Sequence, residues 1–468
     1  MSVTEHTRAD PRATGLTGPT GQAGATGLTR RRYLAGIAGS GTAAGLLGAC
    51  GGAAQTPGAA DGAPQAVAPA SLDVWVWWKD PVESLQQMGE SFVKQHPGST
   101  VNVDSPSQYW DKLTAALAGS FGPHVFFMNN VNYWAWAGRG LLLDLDTLVA
   151  SDAEMRRNLD ASWKEAVGYY KFKGKNYGLP YLYTTVVLYY NEDLLRATNL
   201  KTPAELGDGY DWDAARDQAQ RLTRGEGETR VWGIMSTEGI ETGWLNWVRA
   251  NGGDFLDRDH RQCIIDQPAS AEAWQHLVDL RHRDRVSPDA ETLKAANSRT
   301  LFMNGRLALW PGGSWNMKTL NNPPLSFRYD IAQLPASPRT KKRGGTTNVV
   351  GLVINKDANA RDQSWALLTH LLSKESQDII ARADVLAPVR NDSAELYYDP
   401  QLGPANRKAA FAMQRWTTPL PAHEKVSWTE MLRPVNEWQP KIFDGAVSVK
   451  EGLTQMASQV NALLGPVG

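Results

Sequence analysis

From residue 72 onward, the pattern of apolar and polar positions alternates between strand-like and helix-like segments. Residues 72–78 alternate with β-favouring side chains and predict a strand, whereas residues 82–96 are amphipathic with helical spacing. Residues 99–103 and 108–117 repeat this strand and helix pair, and residues 124–128 form an apolar run of strand length. An apolar run is typical of a parallel strand that is buried on both faces. The pattern therefore predicts a doubly wound α/β sheet.

The pattern continues through a turn-rich middle into a more helical second half. Residues 169–178 predict a hairpin that turns at 173–175, and residues 184–190 predict a strand that leaves the first part of the chain. Further strands are predicted at 231–235, 329–334 and 349–355, and helices at 210–222, 244–251, 271–282, 295–304, 361–383 and 450–464.

One stretch, residues 302–315, combines a helix end, a strand and a glycine pair. Gly305 is a plausible C-terminal cap, and residues 306–310 form a short apolar run of strand length. Residues 311–313, Pro-Gly-Gly, predict a turn with bare backbone, after which Ser314 can cap a helix. Trp315 follows Ser314 directly. Its ring is expected either to face a ligand crevice at the carboxyl end of the strand or to pack in the core.

This stretch resembles a known family. The sequence F-M-N-G-R, a strand and G-G-S-W are similar to the extracellular solute-binding proteins of bacterial ABC importers, specifically the sugar-binding family 1. Residues 177–181 (Y-G-L-P-Y) and 187–195 resemble that family's next signature, and residues 346–355 and 364–377 resemble its late strand and helix. The motifs occur in the family's order along nearly the whole chain.

The resemblance implies a two-lobe periplasmic-binding-protein fold (type II-like), in which each lobe is a doubly wound sheet flanked by helices and the ligand cleft lies between the lobes. Lobe 1 is expected to comprise residues 71–186 and 349–394, and lobe 2 residues 187–348 and 395–468. Hinge closure around the ligand follows from that arrangement. The resemblance also implies a monomer without a cofactor, which delivers its ligand to permease subunits that a separate ATPase drives.

The amino terminus is predicted to be an export and anchoring signal. Residues 1–49 contain Arg30 and Arg31 in a twin-arginine pattern, followed by a short apolar run that is too short to span a bilayer. That run ends in L-G-A-C at Cys50, which resembles a lipidation site. Residues 50–70 then form a flexible tether. We expect the protein to be lipid-anchored on the extracytoplasmic face of the cell membrane.

Composition excludes several other classes of function. The formal net charge is −1, and basic residues are not gathered into a nucleic-acid surface. Two cysteines give no disulfide framework if Cys50 is modified, and no HExxH or CxxC motif indicates a metal or redox site. We therefore expect no metal and no catalytic residue, although Glu238 and Glu241 could be imagined as a glycosidase pair.

Sugars need aromatic plates and polar side chains that form two hydrogen bonds, so candidates are sought at strand ends and around the expected cleft. The 18 tryptophans of the chain encourage this search, although most of them must be core. The predicted ligand-binding residues are Trp78, Asp80, Asn129, Tyr181, Tyr183, Glu238, Trp244, Trp315, Asn348, Arg390 and Trp428.

The sequence leaves two alternatives to a sugar receptor. One is a receptor of the same fold for a polyamine, a peptide or glycerol phosphate, in which the charge of the cleft would differ. The other is a secreted carbohydrate-active enzyme, in which an essential carboxylate would turn the ligand over. The identity, length and linkage of the sugar do not follow from the sequence.

Overall fold

The computed structural model describes residues 68–466. The predicted signal peptide with Arg30 and Arg31, the predicted lipidation site Cys50 and most of the predicted tether lie outside the described residues. Between residues 68 and 466, no helix is long and apolar enough to cross a membrane.

Strands occur throughout the described chain and are mostly short. They are β1 (Ser71–Trp75), β2 (Thr100–Asp104), β3 (Val125–Asn129), β4 (Lys171–Phe172), β5 (Lys175–Asn176), β6 (Leu179–Tyr183), β7 (Val186–Asn191), β8 (Trp232–Ile234), β9 (Leu307–Gly313), β10 (Tyr329–Ala332), β11 (Gly345–Thr347), β12 (Val350–Ile354), β13 (Ala387–Pro388) and β14 (Thr417–Pro419).

Helices separate most of these strands. They are α1 (Val82–Gln95), α2 (Tyr109–Ala118), α3 (Asn130–Gly138), α4 (Asp146–Ser151), α5 (Ala153–Asp160), α6 (Lys164–Tyr169), α7 (Glu192–Ala197), α8 (Pro203–Leu206), α9 (Trp212–Leu222), α10 (Trp244–Ala250), α11 (Pro268–His282), α12 (Ala290–Ala295), α13 (Ser298–Met303), α14 (Met317–Asn321), α15 (Arg361–Leu371), α16 (Lys374–Arg382), α17 (Asn391–Tyr397), α18 (Lys408–Ala412), α19 (Trp428–Phe443) and α20 (Val449–Leu464).

The first sheet has six strands in the order β13-β6-β12-β3-β1-β2. β1 is parallel to β2 and β3, and helices α1 and α2 connect these three strands as the alternating pattern predicts. β12 returns from much later in the chain and lies antiparallel between β3 and β6. Residues 125–128 in β3 are fully buried, which confirms the prediction of a strand covered on both faces.

The second sheet has four strands in the order β10-β7-β9-β8. β7 pairs antiparallel with β9 and β10, whereas β8 is parallel to β9. Every residue of β7 and β9 is buried, so these two strands form the centre of the second core.

Two of the chain segments that cross between the two halves of the fold are hydrogen-bonded to each other. Thr184 and Thr185 lead from β6 to β7, and Asn348 lies between β11 and β12. The Thr184 hydroxyl donates to the Asn348 carbonyl oxygen at 2.8 Å and accepts from the Asn348 amide at 3.1 Å. The Thr347 hydroxyl donates to the Thr184 carbonyl oxygen at 2.7 Å. The two crossings therefore form one connected joint.

Capping residues change the bounds of two predicted helices. The helix expected at 295–304 begins only at Ser298, because Asn297 is extended and its side chain accepts the Thr300 amide, whereas Ala295 ends the separate helix α12. The helix expected at 361–383 is interrupted at Ser373, whose side chain accepts the Ser376 amide. Asn and Ser side chains compete for helix amides and therefore favour a new N-cap over continuation.

The predicted turn at residues 311–313 is wrong. Pro311, Gly312 and Gly313 extend β9 and pair with Leu188, Val187 and Val186 of β7. Proline can occupy a strand where no ladder hydrogen bond needs its nitrogen, and the glycines leave space for neighbouring rings. The chain turns only at residues 314–316, and Gly305 ends α13 with a φ of +67° as predicted.

Candidate functional site

Trp315 lies on the turn that follows β9, beside the crossing between the sheets. Its indole is partly exposed and covers Gly313. The Ser314 amide donates to the Thr185 carbonyl oxygen at 2.8 Å, and the Ser314 hydroxyl accepts from the Thr185 amide at 3.2 Å. Ser314 is thus a partner of the crossing segment, and its predicted role as a helix cap is wrong. The tryptophan is held as a plate beside the joint between the sheets.

Strand register places the first-sheet candidates at the opposite side of the same joint. Asn129 pairs with Val350, two residues after Asn348. β1 is parallel to β3, with Trp75 opposite Phe126. Trp78, three residues after Trp75, therefore lies at the same edge of the sheet as Asn129. The ends of β1 and β3, the start of β12 and the joint therefore adjoin one another, as the rule for crevices in α/β sheets expects.

The three candidates on this edge differ in how exposed they are and in whether their polar atoms are free to bind a ligand. Trp78 is partly buried, and its ring meets Phe127 edge-on with centroids 5.6 Å apart. Asp80 is exposed. Asn129 caps α3, because its Oδ1 accepts the Asn132 amide at 3.1 Å. That hydrogen bond gives Asn129 a structural role and occupies its oxygen.

Glu241 and Asn348 form a recessed polar pair next to the joint. The Asn348 side-chain amide lies beside the Glu241 carboxylate, and burial raises the pKa of Glu241 to about 7, although the Asn348 contact opposes that rise. The Glu241 carbonyl oxygen accepts from Asn246 Nδ2 at 2.8 Å and from the Thr346 hydroxyl at 2.7 Å. The backbone of Glu241 is therefore fixed while its carboxyl stays in a poorly solvated position.

Glu238 is also recessed, and its carboxylate is already engaged. Its Oε1 accepts from Trp310 Nε1 at 3.2 Å, and burial raises the pKa of Glu238 above its ordinary value. The indole of Trp310 lies in the second core against Tyr189, with centroids 5.0 Å apart. Glu238 thus links the loop after β8 to the core.

Three predicted residues have interior positions in place of the cleft-facing ones expected. Tyr181 is fully buried, with its hydroxyl 3.4 Å from the Met88 sulfur. Trp244 is fully buried and donates from Nε1 to Gln439 Oε1 at 2.9 Å. A side chain packed in this way has no open face for a ligand, so neither residue enters the proposed site.

Arg390 is the third of these interior residues. Its guanidinium makes two 2.9 Å hydrogen bonds to the Asp392 carboxylate and one of 2.7 Å to Asn158 Oδ1. These bonds tie the loop after β13 to α5. Three of the five guanidinium N–H groups are therefore engaged within the protein itself.

Of the two remaining candidates, Trp428 is partly buried, whereas Tyr183 is a fourth interior residue. Trp428 lies at the first turn of α19, between Ser427 and Glu430 of the capping box. Tyr183 is 1% exposed, and its ring meets Trp163 edge-on with centroids 4.9 Å apart. Its phenol lies beside the Thr185 hydroxyl without a well-formed hydrogen bond.

Six of the buried polar atoms without a hydrogen-bond partner in the described protein flank the joint. They belong to residues at or just after the ends of β3, β6 and β8, or just before β7 and β12. Because β8 is parallel to β9, the residues after it share the sheet edge with Trp315. An unpaired buried polar atom costs about 1–3 kcal/mol, so a partner from outside the chain stabilises it. The atoms are Asn130 Oδ1, the hydroxyls of Tyr183, Thr185, Ser236 and Thr237, and Asn348 Oδ1.

A cavity of about 150 Å³ lies between the two sheets and contains residues that the sequence did not single out. We call it the Asn130 cavity. Its lining comes from α3, the end of α6, the loop around residue 260 and the segment after β14. The lining residues are Asn130, Trp134, Gly168, Tyr169, His260, Pro419, Leu420 and Ala422.

Contacts across this cavity join the two sides. The rings of Trp134 and His260 are stacked 5.2 Å apart at an interplanar angle of 12°. Lys173 in the hairpin between β4 and β5 forms a 2.8 Å ion pair with Glu424. The signal that could have found this region is the Asn129-Asn130 pair at the end of β3, of which only Asn129 was predicted as a ligand-binding residue.

In residues 68–466, no group of three His, Cys, Asp or Glu side chains is arranged to hold a metal ion. One charged residue next to the Asn130 cavity, Arg249, is already paired within the protein. Arg249 donates to the Thr418 and Pro419 carbonyl oxygens at 2.9 and 2.8 Å and contacts Asp254 at 3.2 Å.

Comparisons with known proteins agree with this geometry. A family model described as bacterial extracellular solute-binding protein matches residues 87–410. The chain is 22% identical over 358 residues to the diacetylchitobiose binding protein of Streptomyces coelicolor, an alignment that covers 73% of this chain and 78% of that relative. It is 26% identical over 386 residues to an uncharacterized lipoprotein of Streptomyces antibioticus, with 78% of each covered.

A solved structure gives the corresponding likeness in three dimensions. The substrate-binding protein of a Listeria monocytogenes ABC system, solved in complex with cycloalternan, superposes with a TM-score of 0.74 at 22% identity. The match covers 85% of this chain and 99% of that protein. This likeness confirms the predicted two-lobe α/β fold class. The matched family and this neighbour are binding proteins rather than enzymes.

Proposed function

The chain belongs to the bacterial extracellular solute-binding proteins, and we propose that it is the receptor of an ABC importer for a sugar or oligosaccharide. The observation that carries the proposal is the joint between the two sheets. Unpaired buried polar atoms flank the joint, and the partly exposed ring of Trp315 lies beside it. A sugar supplies hydroxyls for the polar atoms and an apolar ring face for an indole.

Lobe closure would bring these groups onto one ligand. In this proposal, lobe 1 comprises residues 71–186 and 349–394, and lobe 2 comprises residues 187–348 and 395–468. The hydrogen-bonded joint at Thr184 and Asn348 is short, which suits a hinge whose few residues absorb the movement. A ligand that contacts both lobes stabilises the closed arrangement by its differential affinity for it.

The proposed place of the protein is the outer face of the cell membrane. Lipidation at Cys50, after export directed by Arg30 and Arg31, would leave the folded part on a tether. The lipoprotein among the relatives supports this assignment. The ligand would then pass to permease subunits driven by a separate ATPase, with this chain acting as a monomer.

A binding screen tests the proposal. Maltotriose, diacetylchitobiose and cycloalternan are titrated calorimetrically into the purified protein, with spermidine and glycerol phosphate as controls. We expect at least one sugar to bind and to be recovered unchanged, and Trp315→Ala to weaken that binding while the protein stays folded. Binding of only the amine or the phosphate would overturn the sugar assignment, and a consumed sugar would indicate an enzyme.

A further inference from the structure

The hydrogen-bond acceptors and the size of the Asn130 cavity indicate which part of a ligand would bind in it. Resting on the proposed function, we propose that this cavity holds one neutral sugar ring, whose hydroxyls donate hydrogen bonds to Asn130 Oδ1 and His260 Nε2. The cavity would thereby select uncharged, hydroxyl-rich ligands and reject sugars that carry a carboxylate or phosphate on that ring.

Asn130 supplies the first acceptor. The residue is 3% exposed, and its Oδ1 has no partner in the protein. Its Nδ2 points to the Leu420 carbonyl oxygen at 3.5 Å, which fixes the orientation of the amide, because the reverse orientation would bring two acceptors together. The oxygen is thus a buried acceptor that needs a donor from the cavity side.

His260 supplies the second acceptor. Its Nδ1 lies 2.6 Å from the Ala422 carbonyl oxygen, which can only accept, so Nδ1 carries the proton. In the neutral imidazole the other nitrogen, Nε2, is then an acceptor. The stacked Trp134 ring holds the imidazole plane in place. Asn130 and His260 both line the cavity, so their two acceptors call for a ligand with several donors.

The volume of the cavity and the lack of charged residues in its lining further restrict the kinds of ligand that fit. A volume of about 150 Å³ suits a single six-membered ring, since an engineered apolar cavity of about 150 Å³ takes up one benzene. None of the lining residues carries a fixed charge, because burial raises the pKa of Tyr169 to about 12 and keeps its phenol neutral. Among the lining residues an anion would meet two acceptor atoms and no Lys or Arg side chain.

The test uses the panel sugar that the full-length protein binds best, measured by titration calorimetry against designed variants. Asn130→Leu removes the acceptor at similar volume. His260→Asn removes the imidazole and tolerates the backbone φ of +58°. Asn132→Leu is the matched control, because Asn132 lies on the same helix and does not line the cavity.

We expect Asn130→Leu and His260→Asn each to weaken binding at least tenfold, and Asn132→Leu to stay within threefold of the unchanged protein. Thermal unfolding of each variant reports whether it is folded. If the unchanged protein binds the sugar and the Asn130→Leu and His260→Asn variants bind it equally well, the inference is overturned and the receptor function stands. If no panel sugar binds, the sugar function fails and this inference fails with it.

Discussion

The indole of Trp315 covers Gly313 so closely that no side chain fits between them. A β-carbon built on Gly313 would lie 2.2 Å from both Cη2 and Cζ2 of Trp315. Gly313 has an ordinary extended backbone, with φ −72° and ψ 146°, which any residue could adopt. Glycine is needed here because the Trp315 ring occupies the space that a side chain would fill. The position of the proposed binding plate is therefore set by a glycine two residues before it.

This relationship predicts that Gly313→Ala weakens ligand binding with little effect on folding. The added methyl must displace the far end of the Trp315 ring, whereas the backbone accepts alanine. Because aromatic stacking contributes about 0.5–1.5 kcal/mol, affinity should fall by roughly two- to tenfold. Calorimetric titration of the bound sugar and thermal unfolding measure the two quantities.

Gly312→Ala is the matched control for that variant. A β-carbon on Gly312 would lie 3.0 Å from the core ring of Trp310 and 3.1 Å from Tyr189. Overpacking of this kind costs about 1–3 kcal/mol, so stability should fall for Gly312→Ala. Equal effects of the two substitutions on stability, with ligand affinity unchanged in Gly313→Ala, would remove Trp315 from the proposed site.

The fold could be predicted from the sequence more fully than the site. Periodicity records which positions are buried, so the strand and helix order followed from the pattern. It does not record which neighbour a buried ring meets, and all five residues of the strand that contains Tyr181 are buried. For the same reason the sequence could not distinguish Asn129, which caps a helix, from Asn130, whose oxygen is free.

The joint between the sheets predicts a stability loss for Thr184→Val. Valine has the shape of threonine but leaves the Asn348 amide and carbonyl without the two hydrogen bonds of 3.1 and 2.8 Å. Unpaired buried groups cost about 1–3 kcal/mol each, and we expect a loss in that range by urea unfolding. Thr184→Ser keeps the hydroxyl and should unfold close to the unchanged protein. Equal losses in both variants would show that the methyl group, and not the hydroxyl, stabilises the joint.

Glu241 predicts a pH dependence of stability. Its pKa of about 7 in the folded protein exceeds its ordinary value of 4.5, so the native state binds the proton more tightly than the unfolded chain does. The contribution is complete below pH 4.5 and is lost as the pH rises to about 7. Because Glu241 keeps some exposure, we expect the free energy of unfolding to fall by about 1–3 kcal/mol over that range.

Glu241→Gln should remove this part of the pH profile and be more stable than the unchanged protein at pH 8. Denaturant unfolding from pH 4.5 to 8 measures the profile. Glu437→Gln serves as the control, since a hydrogen bond from Lys441 lowers the pKa of Glu437 and places its titration below this range. A Glu241→Gln profile that parallels the unchanged one would show that Glu241 stays ionised in the folded protein.

Cys263 predicts that the folded protein resists thiol alkylation. Its side chain is 2% exposed, and burial raises the pKa of the thiol to about 12, so the reactive thiolate is scarce and shielded. In a Cys50→Ser protein, iodoacetamide at pH 8 should label Cys263 only after denaturation, as mass spectrometry can follow. Asn461 holds this segment by accepting the Cys263 amide at 2.7 Å, so Asn461→Ala should speed labelling through local opening. Labelling of the native protein as fast as the denatured one would contradict the packing of this segment against α20.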